Sequence, residues 1–124
     1  MIQSFTIGCT LPNLNDIIAA AKVRKGAWSK YQEMKSTYGG LCKQEIKAAK
    51  LKPYKGPVKL LFVWMEKNRK RDKDGVTAGT KFICDALVEM QVIKNDGWAQ
   101  IAGITHHWTV SKTPGVHVVL EEVA

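Results

Sequence analysis

Apolar and polar side chains alternate from Gln3 to Cys9, with Phe5 and Ile7 set against Ser4, Thr6 and Gly8, and this period of two predicts a short strand. Pro12, Asn13 and Asn15 mark a turn, and Asn15 is placed to accept from the open amides of a helix starting near Asp16. Trp28, Tyr31, Met34, Tyr38, Leu41, Cys42, Ile46 and Ala49 then recur at steps of three and four. That spacing predicts a helix of about six turns with one apolar stripe. Gly39 and Gly40 fall inside it and predict a kink or a split, since interior glycines cost about 1 kcal/mol each relative to Ala. Lys25, Lys30, Lys43, Lys47 and Lys50 occupy the opposite face.

Pro53 to Pro57 break the helical period, and Val58 to Met65 is almost wholly apolar and β-rich, which predicts a central strand covered on both faces. Lys67 to Gly75 is too charged for a core and has no period, so it reads as an exposed loop or a strand end. Thr80 to Met90 predicts a further helix with Phe82, Ile83, Ala86, Leu87 and Met90 inward and Lys81, Asp85 and Glu89 aligned at four-residue spacing. Two closing strands, about Ala99 to Val110 and Val116 to Glu122, flank the turn residues Lys112-Thr113-Pro114-Gly115. The order β-α-β-α-β-β predicts an α+β fold, a mixed α/β sandwich with helices packed on a small sheet.

At 124 residues, the chain has the length of one domain, residues 1–124. No apolar run approaches the ~18 residues of a membrane span and no leader pattern opens the sequence, so the expectation is a soluble cytoplasmic protein with no membrane partner. Cys9, Cys42 and Cys84 form no C-x-x-C pair, which predicts reduced thiols and argues against a zinc knuckle. Charge changes the picture most. The net charge is +8, but residues 1–71 carry fifteen basic and four acidic side chains, whereas residues 72–124 carry four and seven. Such a basic surplus points to a polyanion, because lysines and arginines release the counterions condensed on nucleic acid.

Asp72 and Asp74 are two apart, so an extended backbone would project both carboxylates to one side as a hard-metal site for Mg²⁺. The plainer alternative is a pair of surface ion pairs with the neighbouring cations. Asp96 lies in the turn Asn95-Asp96-Gly97, which is either a plain Asn-Asp-Gly turn or one from which a carboxylate can approach the first two. Lys81 is either a surface partner of Asp85 or an ammonium held over a scissile phosphate. His106 and His107 are adjacent in a strand and face opposite ways. The sequence holds no phosphate-binding G-x-x-x-x-G-K-[ST] loop and no G-x-S-x-G elbow.

Arg71-Asp72-Lys73-Asp74, Lys81-Phe82-Ile83-Cys84-Asp85-Ala86-Leu87 and Val92-Ile93-Lys94-Asn95-Asp96-Gly97-Trp98 together resemble the RusA family of Holliday junction resolvases, in its phage-type branch. Leu11-Pro12-Asn13-Leu14-Asn15 is similar to that family's early P-x-x-N turn. The resemblance implies a bacterial or phage-encoded homodimer that nicks four-way or branched DNA symmetrically. Its implied cofactor is Mg²⁺, with Mn²⁺ as a substitute. By motif position it implies Asp72, Asp74 and Asp96 as metal ligands, Lys81 as the catalytic lysine and Asp85 as a helix acid. Lys67, Arg69, Lys70, Arg71 and Lys73 are the candidate phosphate contacts. Gly75 stands where the D-x-D-N motif has Asn, and Asn95 where many members have an acid. The alternative is a non-catalytic basic DNA-binding or architectural protein.

Overall fold

The computed structural model describes residues 1–123. Strand β1 (Ile2–Ile7) is followed by helix α1 (Leu14–Ala21), a two-residue hairpin of β2 (Arg24–Lys25) and β3 (Trp28–Ser29), and helix α2 (Lys30–Ala48). Strand β4 (Val58–Glu66) leads into the single turn α3 (Lys73–Val76), a 3₁₀ turn over Thr77–Gly79, and helix α4 (Thr80–Glu89). Strands β5 (Ile101–Val110) and β6 (Gly115–Glu122) complete the chain's mixed α+β fold. The four long strands form one sheet in the order β1-β6-β4-β5. β4 runs parallel to β5 and antiparallel to β6, so the two closing strands, consecutive in sequence, are separated by β4.

Register sorts the sheet into two faces. Phe5 and Ile7 of β1, Val58, Leu60, Phe62 and Trp64 of β4, and Val116, Val118 and Leu120 of β6 point to the helices and are buried. They meet Cys42 and Ile46 of α2 and Phe82, Ile83, Ala86 and Leu87 of α4 in one core. Leu61, Val63 and Met65 alternate with them and are only partly covered, so β4 is central in the sheet but buried on one face, not on both as its composition predicts. A two-layer fold explains the difference: among the described residues, every helix packs on the same side of the sheet.

Several local expectations are also corrected. Asn13, not Asn15, caps α1: its side chain accepts from the Asp16 amide at 2.9 Å while the Asp16 carboxylate accepts from the Asn13 amide at 3.0 Å, a reciprocal capping box. Trp28 belongs to the β2–β3 hairpin, is exposed, and donates its indole N–H to Glu33 at 2.9 Å. α2 begins at Lys30 with Ser29 as its cap, and it runs unbroken through Gly39 and Gly40, because packing of Met34, Tyr38, Cys42 and Ile46 outweighs the glycine cost. Leu41, in phase with that stripe by spacing, is exposed at its margin. Lys43 leaves the cationic face to pair with Glu89 of α4 at 2.8 Å.

Gly79 fixes where α4 begins. A Cβ there would lie 3.2 Å from the Trp64 ring and from Leu11, so the missing side chain lets the 3₁₀ turn settle onto the core and hands the chain to α4 at that point. No helix among the described residues is long and apolar enough to cross a membrane.

Candidate functional site

Lys81 sits in the first turn of α4 with its side chain exposed. Its ammonium donates to Asp85 Oδ1 at 3.0 Å, one helical turn on, and reaches Asp96 Oδ2 at 3.4 Å in the turn after the helix. The Asp85 hydrogen bond, joined by the Asp96 carboxylate, raises the Lys81 pKa above its ordinary 10.5 against a smaller opposing effect of burial. Lys81 is therefore a fixed cation at neutral pH. The turn that delivers Asp96 is tied down locally: the Asn95 side chain accepts from the Gly97 amide at 2.9 Å, and Ile101 donates to the Gly97 carbonyl at 3.0 Å. A Cβ on Gly97 would come within 2.9 Å of the Asn95 side-chain oxygen, so the Asn-Asp-Gly order closes this turn. Lys81, Asp96, Ile101 and Ile104 line a hollow of about 620 Å³. Thr80 lines it as well, and its buried hydroxyl has no hydrogen-bond partner among the described residues.

Asp72 and Asp74 lie at the other end of the α3 segment. Asp72 has extended backbone, as expected, but is the residue before α3, and Asp74 is already in the helical turn. The two are thus not alternate residues of one extended stretch, which corrects the simple same-side argument. Asp74 accepts from the next amide, Gly75, at 2.9 Å, and Asp72 makes no capping bond. Among the described residues neither carboxylate forms an ion pair, although Lys67, Arg69, Lys70 and Lys73 are all exposed nearby. The surface ion-pair alternative for these acids is therefore not what the chain adopts. No three carboxylate, imidazole or thiolate groups among the described residues gather as a metal-holding cluster, so Asp96 stays with Lys81 rather than joining Asp72 and Asp74.

The basic run divides in two. Arg71 is taken up structurally: its guanidinium contacts both Glu66 oxygens at 2.8 and 3.4 Å and donates to the Leu11 carbonyl at 2.9 Å, stitching the loop to the end of β4. It is removed from the set of free phosphate contacts. Lys67, Arg69 and Lys70 extend from the loop with their charges free among the described residues.

Two aromatic residues near these acids are given no role by the sequence pattern. Trp98, two positions after Asp96, is fully exposed at 100%. Trp108 lies under the Lys73 ammonium, which is 5.3 Å from its ring centroid. The available signals were the indole beside an Asn-Asp-Gly turn and a tryptophan among threonines and histidines on an edge strand.

His106 and His107 do face opposite sides of the sheet, paired with Phe62 and Val63 respectively. Trp64 donates its indole N–H to His106 Nδ1 at 2.9 Å, and burial lowers the His106 pKa, both of which favour a neutral imidazole. Cys9, Cys42 and Cys84 are free thiols; burial pushes the latter two up to about 12, which makes them packing residues.

No protein-family model matches the chain, and no curated protein matches it.

Proposed function

We propose that the chain is a Mg²⁺-dependent endodeoxyribonuclease of RusA type that cuts four-way or branched DNA as a homodimer. The observation that carries this reading is the convergence of Lys81 and Asp96, which joins the Lys-to-Leu helix motif and the Asn-Asp-Gly-Trp turn in one place. The unpaired Asp72 and Asp74 in a basic loop add independent support. Hard carboxylate oxygens that form no ion pair among the described residues suit Mg²⁺, which needs only one or two protein carboxylates when substrate phosphate and water complete its shell.

Asp72 and Asp74 would hold that ion, and Asp96 would join them only by leaving Lys81. Bound there, Mg²⁺ supplies an activated water and offsets charge on the phosphate oxygens. The chain's own residues do the rest. Lys67, Arg69 and Lys70 bind the phosphate backbone without reading its sequence. Lys81, held charged by Asp85 and Asp96, stabilises the negative charge that grows on the phosphate in the transition state. A two-fold dimer would set two identical sites against opposed strands, which suits paired nicks.

The test is cleavage of an end-labelled synthetic four-way junction beside a matched linear duplex, in Mg²⁺ and then in EDTA. Paired symmetric nicks restricted to the junction and dependent on metal are expected; equal cutting of the duplex, or cutting in EDTA, overturns the reading. A second reading, carried by the basic surplus of residues 1–71, is a non-catalytic basic protein that binds branched DNA. Tight junction binding without cleavage in Mg²⁺ or Mn²⁺ would select it.

A further inference from the structure

A cleft of about 670 Å³ opens at the carboxyl ends of the parallel strands β4 and β5, beside Asp72. Its aromatic wall is Trp108, the last member of a stack that starts in the core. Phe62 and His106 lie 5.3 Å apart between ring centroids, Phe62 and Trp64 5.7 Å, and His106 and Trp108 6.1 Å, with interplanar angles from 17° to 29°. Trp108 adjoins the half-buried His106 imidazole, and the indole remains 37% exposed. Cations line the same cleft: Lys73 over the Trp108 ring, Arg69, and Arg71 locked in place by Glu66.

A flat π surface flanked by Arg69 and Lys73, neither of which forms an ion pair among the described residues, matches one chemistry, a nucleobase with its attached phosphate. Neither half suffices alone. A free phosphate has no use for the indole, and an apolar molecule has no use for the cations Arg69 and Lys73 beside it. The base must also present an open face, which paired bases inside a duplex do not.

We propose that this cleft captures one unstacked nucleobase of the DNA, from a branch point or a single strand, with Trp108 as its stacking platform and Arg69 on the adjoining phosphates, the exposed Lys73 ammonium moving off the indole face onto a phosphate as the base enters. Capture would seat the neighbouring phosphodiester beside Asp72. The inference rests on the reading of DNA as the partner and adds what feature of the DNA is recognised.

The test is run in EDTA, so that it does not depend on cleavage. Oligonucleotides carrying 5-iodouracil, one single-stranded and one placed at the branch point of a four-way junction, are irradiated with the full-length protein, and the cross-linked peptide is identified by mass spectrometry. The cross-link is expected on Trp108. Trp108→Ala should weaken single-strand and junction binding about fivefold or more while leaving duplex binding unchanged, and Trp108→Phe, which keeps a ring, should restore most of the loss. Cross-linking at Trp98 or elsewhere with Trp108 untouched, or Trp108→Ala binding both probes like the native protein, overturns the proposal. The native cross-link decides the matter even if Trp108→Ala fails to fold. Base capture without cutting in Mg²⁺ would remove the nuclease reading and leave this one standing.

Discussion

The Lys81 ammonium stands 3.4 Å from Asp96 Oδ2, bridging fifteen residues of chain and fixing the Asn-Asp-Gly turn against the first turn of α4. With Asp85 at 3.0 Å, it forms a three-residue constellation whose central group is a cation.

Lys81→Met should lower junction cleavage by about 10²- to 10³-fold with little change in junction binding, since the charge acts on the transition state and not on the backbone at large. Rate measurements under single-turnover conditions separate the two effects. The same lysine predicts a pH dependence of stability. Its folded pKa lies above 10.5, so its ion pairs contribute fully below that value and the contribution is lost as pH rises through the higher folded pKa. The difference in thermal midpoint between native protein and Lys81→Met should therefore stay flat from about pH 7 to 10 and shrink above.

Gly75→Asn places the amide of the D-x-D-N motif where the chain has none. The space around a Cβ at Gly75 is open and its φ is not positive, so the variant should fold and gain a few tenths of a kcal/mol. A side-chain amide able to orient Asp72 or Asp74 should raise metal-dependent cleavage by up to about tenfold. An unchanged rate would mean that the glycine is no handicap at this site.

Arg71 and Lys70 are adjacent cations with different work to do. Arg71→Ala strands the half-buried Glu66 and frees the Leu11 carbonyl, so it should cost about 1–3 kcal/mol of stability and lower the melting temperature. Lys70→Ala should leave melting unchanged and reduce the slope of log binding constant against log salt by about 1. Salt titrations of DNA binding beside thermal melts check both.

The parts of this fold that the sequence made legible are those where one period dominates. Phe82, Ile83, Ala86 and Leu87 specify α4 and its buried face by spacing alone, and alternation specifies β1. The β2–β3 hairpin escaped because its strands are two residues long and Trp28 happens to fall in phase with the stripe of α2. Asn13 and Asn15 both precede the same apolar run, and only the reciprocal bond with Asp16 distinguishes them. Within the site, the Lys81–Asp85 pair follows from the helix repeat, whereas Lys81–Asp96 depends on how the turn after α4 folds back. The engagement of Arg71 with Glu66 and Leu11 is likewise a tertiary fact, invisible in a run of like charges.

Above all, the proposed activity requires that Asp72 and Asp74 be there to cut. Measuring junction binding and junction cleavage in parallel, for native protein and Asp74→Asn in Mg²⁺, puts that requirement to the test. The variant is expected to bind the junction as tightly as the native protein, or more tightly for want of a repelling carboxylate, and to make no nicks. Cleavage by Asp74→Asn at the native rate would contradict the assignment of these two acids to the reaction.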